Sequence, residues 1–321
     1  MSSCPLPVSD SVQRPVPVTD PDHRPAPVTH GPDDVALVFE SGGMRGAYTA
    51  GLVRVMLEAG LSFPWVGGIS AGCTNTCNFA SRDTWRTREA YLGLTTDPKA
   101  GGWGSFVTGK GYFNSEHIYL HTSAPDESIP FDWETFAASP ATVRLGAFRC
   151  DTGEEVYWGL EDMPAMDDLL VRARASSSMP VLMPMVEVDG APYVDGAVGP
   201  TGGFAIDAAR ADGYNKLLVA MTRPEGYRKP PMRRHEIEVL HRLYARYPAL
   251  VQAVIDRPEN YNRTVDELER LRSQGRVYLF RPERMPIANG ELRYDRIVTA
   301  FEAGLAQARR ELPAIEAFLA S

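Results

Sequence analysis

The chain is short of the residues and patterns that several protein classes require. It has only four cysteines, Cys4, Cys73, Cys77 and Cys150, too few and too scattered for a disulfide scaffold in 321 residues. Cys73 and Cys77 would share one face of a helix, but no histidine lies near them in sequence. Their spacing therefore predicts small buried hydrophobes rather than a metal site. No apolar run approaches the roughly 20 residues that span a bilayer, and no signal-peptide core opens the chain, so a cytoplasmic protein is the expectation. Basic residues do not dominate: 33 Lys and Arg stand against 41 Asp and Glu, a formal net charge of -8 that argues against a nucleic-acid binder. Gly42, Gly43 and Gly46 lack the Gly-x-Gly-x-x-Gly spacing of a dinucleotide loop, and no Gly-Lys-Ser/Thr follows them to make a phosphate-binding loop. What is present is a globular composition, 44% hydrophobic, able to bury a substantial core.

Residues 1–33 are rich in proline and contain the near-duplicate phrases Arg14-Pro15-Val16-Pro17-Val18-Thr19 and Arg24-Pro25-Ala26-Pro27-Val28-Thr29. Such a segment favours extended conformations and cannot bury enough to fold alone, so it is expected to be a flexible tail, leaving residues 34–321 as the folded domain. Order should begin at Val35-Ala36-Leu37-Val38-Phe39, a continuous apolar run that suits a central strand of a parallel sheet. A glycine turn follows, and then a helix with Tyr48, Leu52, Val55 and Ala59 on one face. Residues 82–136 lose periodicity and mix glycines with aromatics, as lids and binding loops do. Residues 143–150 and 155–158 read as a hairpin around Asp151-Thr152-Gly153, and a helix over 167–175 leads into Ser176-Ser177-Ser178. A helix near 204–211 and a strand at Leu217-Leu218-Val219-Ala220-Met221 make a further unit. The remainder is largely helical: Thr264-Val265-Asp266-Glu267 resembles a capping box, residues 276–280 a last strand, and Ile297, Phe301, Leu305, Ala308, Leu312, Ile315 and Leu319 trace the buried stripe of a closing helix. The basic phrase at 228–234 is expected to be solvated surface charge.

Three stretches could carry chemistry. Gly68-Ile69-Ser70-Ala71-Gly72 has the form Gly-x-Ser-x-Gly, which places a serine on a sharp strand-to-helix turn with its hydroxyl clear of the backbone. Some two dozen residues earlier, the turn Ser41-Gly42-Gly43-Met44-Arg45-Gly46 puts backbone N–H groups at a helix N-terminus, where they can hold a developing negative charge; this is a candidate oxyanion hole. Far downstream, Asp189-Gly190-Ala191 and Asp195-Gly196-Ala197 repeat a triplet six residues apart. Asp189-Gly190 suits a hairpin turn, whereas Asp195 ends the returning strand, with small neighbours that leave its carboxylate room to enter a site.

Together, in this order and spacing, these motifs resemble the patatin-like phospholipase family over residues 35–280. Thr222-Arg223-Pro224-Glu225-Gly226-Tyr227 and Pro130-Phe131-Asp132 are similar to a bacterial branch of it. The resemblance implies an α/β, three-layer fold with a mostly parallel central sheet flanked by helices. It implies a serine-dependent lipid acyl hydrolase or esterase working through a Ser70–Asp195 dyad, with backbone N–H groups around Gly42, Gly43, Met44 and Arg45 as the oxyanion hole and no metal or organic cofactor. Arg45 would fix the loop or meet a phosphate. The implied partners are a lipid or acyl-ester substrate and transient contact with a membrane surface, without nucleic acid. Where the family usually has a third glycine before Gly42, this chain has Ser41, whose amide would remain available but whose side chain would narrow the approach. Because aspartate is a weak base at its ordinary pKa of about 3.9, the scheme requires Asp195 to be partly desolvated or held close to Ser70.

Two other readings remain open at this point. A Ser-His-Asp hydrolase could use Ser70, Asp195 and either His235 or His241, although its nucleophile usually follows more strands than one finds before Ser70. A lipid-binding protein without turnover could keep the fold and all three motifs.

Overall fold

A computed structural model describes residues 27–321; Cys4 and most of the proline-rich segment lie outside the described residues. The strands are β1 (Val35–Phe39), β2 (Trp65–Ile69), β3 (Thr142–Arg149), β4 (Glu155–Trp158), β5 (Val186–Val188), β6 (Ala191–Asp195), β7 (Lys216–Ala220) and β8 (Val277–Phe280). They form one sheet in the order β5-β6-β3-β2-β1-β7-β8, with β4 paired to β3. From β3 through β2, β1 and β7 to β8 every pairing is parallel, while β4 and β6 run antiparallel to β3, and β5 antiparallel to β6. The expected α/β fold with a mostly parallel central sheet is therefore the observed one.

Every residue of β1 is buried. The pleat explains why its apolar run is unbroken: Val35, Leu37 and Phe39 face one core, and Ala36 and Val38 face another. On the first face lie α1 (Gly46–Glu58), α2 (Ala71–Ala80), α3 (Arg86–Thr96) and, after the short helices α4 (Trp103–Val107), α5 (Ser115–Leu120) and α6 (Trp133–Ala137), also α7 (Met166–Ser176). The opposite face is covered by α8 (Ile206–Ala211) and by α10 (Pro248–Ser273), which follows the surface helix α9 (Arg234–Leu243). The closing helix α11 (Tyr294–Leu319) returns to the first face and buries Ile297, Phe301, Leu305, Ala308 and Ile315 against α1. Cys73 and Cys77 pack as small hydrophobes with Phe136, Val143, Leu145 and Leu169. No helix among the described residues is long and apolar enough to cross a membrane.

Three expectations need correction. The chain is engaged before β1: Thr29 N–H donates to the Gly60 carbonyl at 2.9 Å, and His30 forms a parallel bridge with Leu61, because the turn that ends α1 leaves backbone groups that need partners. Thr264 opens no helix. It is buried inside α10, which starts sixteen residues earlier at Pro248 and continues through Pro258 because Tyr261, Val265, Leu268 and Leu271 pack on the sheet. Residues 82–136 are not an irregular excursion; they contain α3 to α6, four helices too short or too evenly mixed to reveal an apolar stripe.

The α1–α11 crossing depends on two glycines. A Cβ on Gly304 would stand 2.0 Å from the Tyr48 carbonyl oxygen, and one on Gly51 would stand 2.4 Å from the Leu305 nitrogen. Since both obstacles are backbone, neither can swing aside. Gly304→Ala is expected to force the helices apart and cost about 1–3 kcal/mol, seen as a lower midpoint in thermal or urea unfolding; an unchanged midpoint would mean that the crossing relaxes freely.

Candidate active site

Ser70 links β2 to α2 with φ 60° and ψ -120°, a backbone region that non-glycine residues rarely occupy and that costs about 1–3 kcal/mol. The flanking glycines make the turn sterically possible. A Cβ on Gly68 would lie 2.4 Å from the Gly72 carbonyl oxygen, and one on Gly72 would lie 2.3 Å from that of Phe39. The Ser70 N–H donates to Ser176 Oγ at 2.9 Å, and the Ser176 hydroxyl donates onward to the Gly146 carbonyl at 2.6 Å. Ser176 is fully buried, so this bridge fixes the Ser70 turn to β3 without competition from water.

The register of β3 brings Asp195 to the same place. Its consecutive residues Gly146 and Ala147 pair with Ile69 of β2 and Asp195 of β6, respectively. The Asp195 N–H donates to the Ser178 carbonyl at 2.8 Å, so the serine run at the end of α7 holds both Ser70 and Asp195. One Asp195 carboxylate oxygen accepts the Ala197 N–H at 2.8 Å, and Ser70 is among the groups that act electrostatically on that carboxylate. Burial raises the Asp195 carboxyl above its ordinary value, opposed by the Ala197 N–H, the Arg257 charge, the Ser70 hydroxyl and the Lys229 charge. Burial supplies the desolvation that a basic aspartate requires. Asp189, by contrast, occupies the turn between β5 and β6 at φ 49°, and Arg172 donates to its carboxylate at 2.6 Å.

Of the four residues expected to supply oxyanion donors, two have their amides occupied. Met44 N–H donates to the Asn289 carbonyl at 2.9 Å, and Arg45 N–H to the Gly42 carbonyl at 3.3 Å. No hydrogen bond among the described residues uses the Gly42 or Gly43 N–H. The Ser41 amide is not available either: it donates to the Gly203 carbonyl at 2.9 Å, and the Ser41 side chain lies against Gly203. A distant tertiary partner, Asn289, is what occupies Met44, and no local sequence signal announces it.

Behind the glycine turn, Glu40 and Asp195 are buried among Arg45, Arg223, Lys229 and Arg257. Burial raises the Glu40 carboxyl, while the Thr222 N–H, Arg45 and Lys229 pull it down. Burial also lowers Arg45 to about 10, which leaves it charged at neutral pH. Lys229, expected in a solvated basic stretch, instead sets its ammonium 4.1 Å from the centre of the Tyr261 ring. Arg257 donates to the Ala197 carbonyl at 3.0 Å and so supports the loop that carries Asp195.

In front of Ser70 lies a cavity with about 710 Å³ of empty space including its open mouth. Gly43, Ser70 and Ala71 stand at one end. The walls are mostly apolar: Ala90, Tyr91, Leu94, Phe113, Ile118, Ile129, Met179 and Met183. Most of these come from residues 82–136, as a substrate-binding segment would supply them. No histidine lines the cavity, and His235 and His241 are exposed on α9, which removes the geometric basis of a triad through either.

Because only an ionised Asp195 can take a proton, modification of Ser70 by a fluorophosphonate should slow as pH falls through the raised Asp195 pKa. Arg257→Gln removes a stabilising positive charge, so the acidic limb of that profile should move to higher pH. A limb that stays in place would show that Arg257 does not tune Asp195.

A family model for patatin-like phospholipases matches residues 37–205, and one for a domain of unknown function (DUF6363) matches residues 247–320. The uncharacterized protein YjjU of Escherichia coli (strain K12) is 26% identical over 195 residues, 60% of this chain and 53% of that protein; the chain thus spans about half the length of this curated relative. Among solved structures, VipD from Legionella pneumophila aligns over 88% of this chain and 67% of its own, at 10% identity and a TM-score of 0.46. The patatin match covers more than half of the chain and contains the end of β1, the glycine turn, Ser70 and Asp195, so the chain belongs to the patatin-like phospholipase family.

Proposed function

We propose that this protein is a lipid acyl hydrolase that uses Ser70 as nucleophile and Asp195 as general base. The observation that carries the reading is the convergence of the strained Ser70 turn and the buried Asp195 carboxylate on adjacent positions of β3, at the end of an apolar cavity. An ester carbonyl placed beside Ser70 would be attacked by its Oγ as Asp195 takes the hydroxyl proton. The tetrahedral oxyanion would accept hydrogen bonds from the unoccupied Gly42 and Gly43 amides. Collapse breaks the ester C–O bond, and Asp195 returns its proton to the departing alcohol. Water, deprotonated by the same carboxylate, then adds to the acyl-enzyme and releases a carboxylic acid, restoring Ser70. The apolar walls favour an acyl chain over a polar acid, and Arg45 supports the glycine loop from behind.

Intact mass after fluorophosphonate treatment tests the nucleophile without a known substrate. The expected result is one adduct that maps to Ser70, disappears in Ser70→Ala, and forms about a hundredfold or more slowly in Asp195→Asn. Release of fatty acid from a phospholipid or a long-chain ester should fall in parallel. An unlabelled Ser70 in folded protein, under conditions that modify a control serine hydrolase, would overturn the reading and favour a lipid-binding role.

A further inference from the structure

Residues 101–113 form a finger whose base is closed by backbone hydrogen bonds. Gly102 N–H donates to the Tyr112 carbonyl at 2.7 Å, Asn114 N–H donates to that of Ala100 at 2.9 Å, and Gly101 and Phe113 make an antiparallel bridge. At its tip α4 holds Trp103, Phe106 and Val107 at 70%, 36% and 83% exposure, an apolar group in a region where nothing packs over Gly102, Gly104 or Gly109. Removing such side chains from water is favourable, so their clustering at an exposed tip calls for a partner.

The finger is continuous with the cavity. Trp103 stacks edge-on against Tyr112 at 5.5 Å, Tyr112 against Phe113 at 5.2 Å, and Phe113 lines the cavity that contains Ser70. Tyr112 N–H also donates to the Leu182 carbonyl at 2.7 Å, which ties the finger to the segment whose Met179 and Met183 line the same cavity and whose Val181 is exposed. The charge beside this apolar tip is opposite in sign to that of the whole chain. Lys99 and Lys110 flank the finger and, with His117, His121 and Arg174, line a polar depression next to it. Glu116 and Asp97 are the acidic groups there, and they are engaged with Arg174 at 3.5 Å and His117 at 2.6 Å, respectively.

We propose that the finger is a membrane-docking element: Trp103, Phe106 and Val107 enter the interface of a bilayer, Lys99 and Lys110 meet its anionic headgroups, and the mouth of the Ser70 cavity is thereby seated on the lipid. An aromatic and aliphatic tip with flanking lysines has the composition that interfacial anchoring requires. A second copy of the chain fits less well, since a stable dimer buries about 800 Å² per partner, more than three side chains at a narrow tip can cover. The substrate side of this inference rests on the lipid acyl hydrolase reading, while the docking itself can be measured separately.

The test uses sedimentation of the full chain with vesicles made of equal parts phosphatidylcholine and phosphatidylserine. The triple variant Trp103→Ser/Phe106→Ser/Val107→Ser is expected to bind on the order of a hundredfold more weakly. Lys99→Glu/Lys110→Glu should weaken binding and flatten its salt dependence, with less effect on pure phosphatidylcholine. Soluble fluorophosphonate should label Ser70 in these variants as in the parent, which shows that they are folded. Equal vesicle binding by parent and triple variant, or no binding by the parent, overturns the proposal. Sedimentation equilibrium showing a dimer that the triple variant abolishes also overturns it, in favour of a contact between copies. Finger-dependent vesicle binding without any Ser70 adduct would leave the docking standing and remove the hydrolase reading.

Discussion

The site depends on a backbone constraint at Ser70. A residue at φ 60° and ψ -120° stays there only if its surroundings over-determine it, and three independent contacts do so. Ser176 bridges the Ser70 N–H to the Gly146 carbonyl; Gly72 lets α2 begin against the end of β1; Gly68 makes room for the turn to fold back. Loss of any one would let the serine relax toward ordinary helix or strand geometry and carry its hydroxyl away from Asp195. The parallel sheet matters to the chemistry chiefly because β3 supplies a common ruler, pairing with Ile69 at one residue and with Asp195 at the next.

Electrostatics complete what the backbone begins. Glu40 follows β1 and accepts the N–H of Thr222, which follows the neighbouring strand β7, at 2.5 Å, while the Thr222 hydroxyl donates to the Ser41 carbonyl at 2.9 Å. These bonds join two adjacent strand ends and fix the entry to the glycine turn, and Asn289 fixes its other side through Met44. Among the described residues, the Gly42 and Gly43 amides are thus left unpaired in a loop held from both sides. Lys229, whose charge helps offset the burial of Glu40, also reaches Asp195, so one cation acts on both the entry to the loop and that carboxylate.

The sequence was most legible where local pattern and tertiary role coincide. The run Val35–Phe39, the turn at Ser70, the Asp189-Gly190 hairpin and the position of Asp195 at a strand end each follow from residue type and spacing, and the structure has each element where the pattern put it. What stayed hidden depends on partners far away in the chain. Ser176 reads as one of three serines until Gly146 and Ser70 are brought to it across the sheet. Lys229 reads as solvated until Tyr261 and Glu40 surround it, and the Met44 amide reads as free until Asn289 reaches it. Thr264 misled for the opposite reason: a local capping pattern lay within a helix that packing on the sheet had already extended.

Residues 82–136 lost their periodicity because they serve two surfaces at once. An ordinary amphipathic helix turns one face to the core and the other to water, and its stripe records that division. Here α3 gives Ala90, Tyr91 and Leu94 to an open cavity, while α4 and α5, five and six residues long, are too short to complete a stripe. Their apolar residues divide between the cavity wall and the exposed tip. The determinants of the Ser70 turn and of the Asp195 position are concentrated in β1 to α2 and in β3 to β6, which the cavity-lining segment interrupts without supplying any of their strand pairings. That segment can therefore change length and composition with little effect on the register of Ser70 and Asp195. On this architecture the arrangement of Ser70 and Asp195 and the lining of the cavity are specified by different parts of the sequence, and only the first carries a compact local signature.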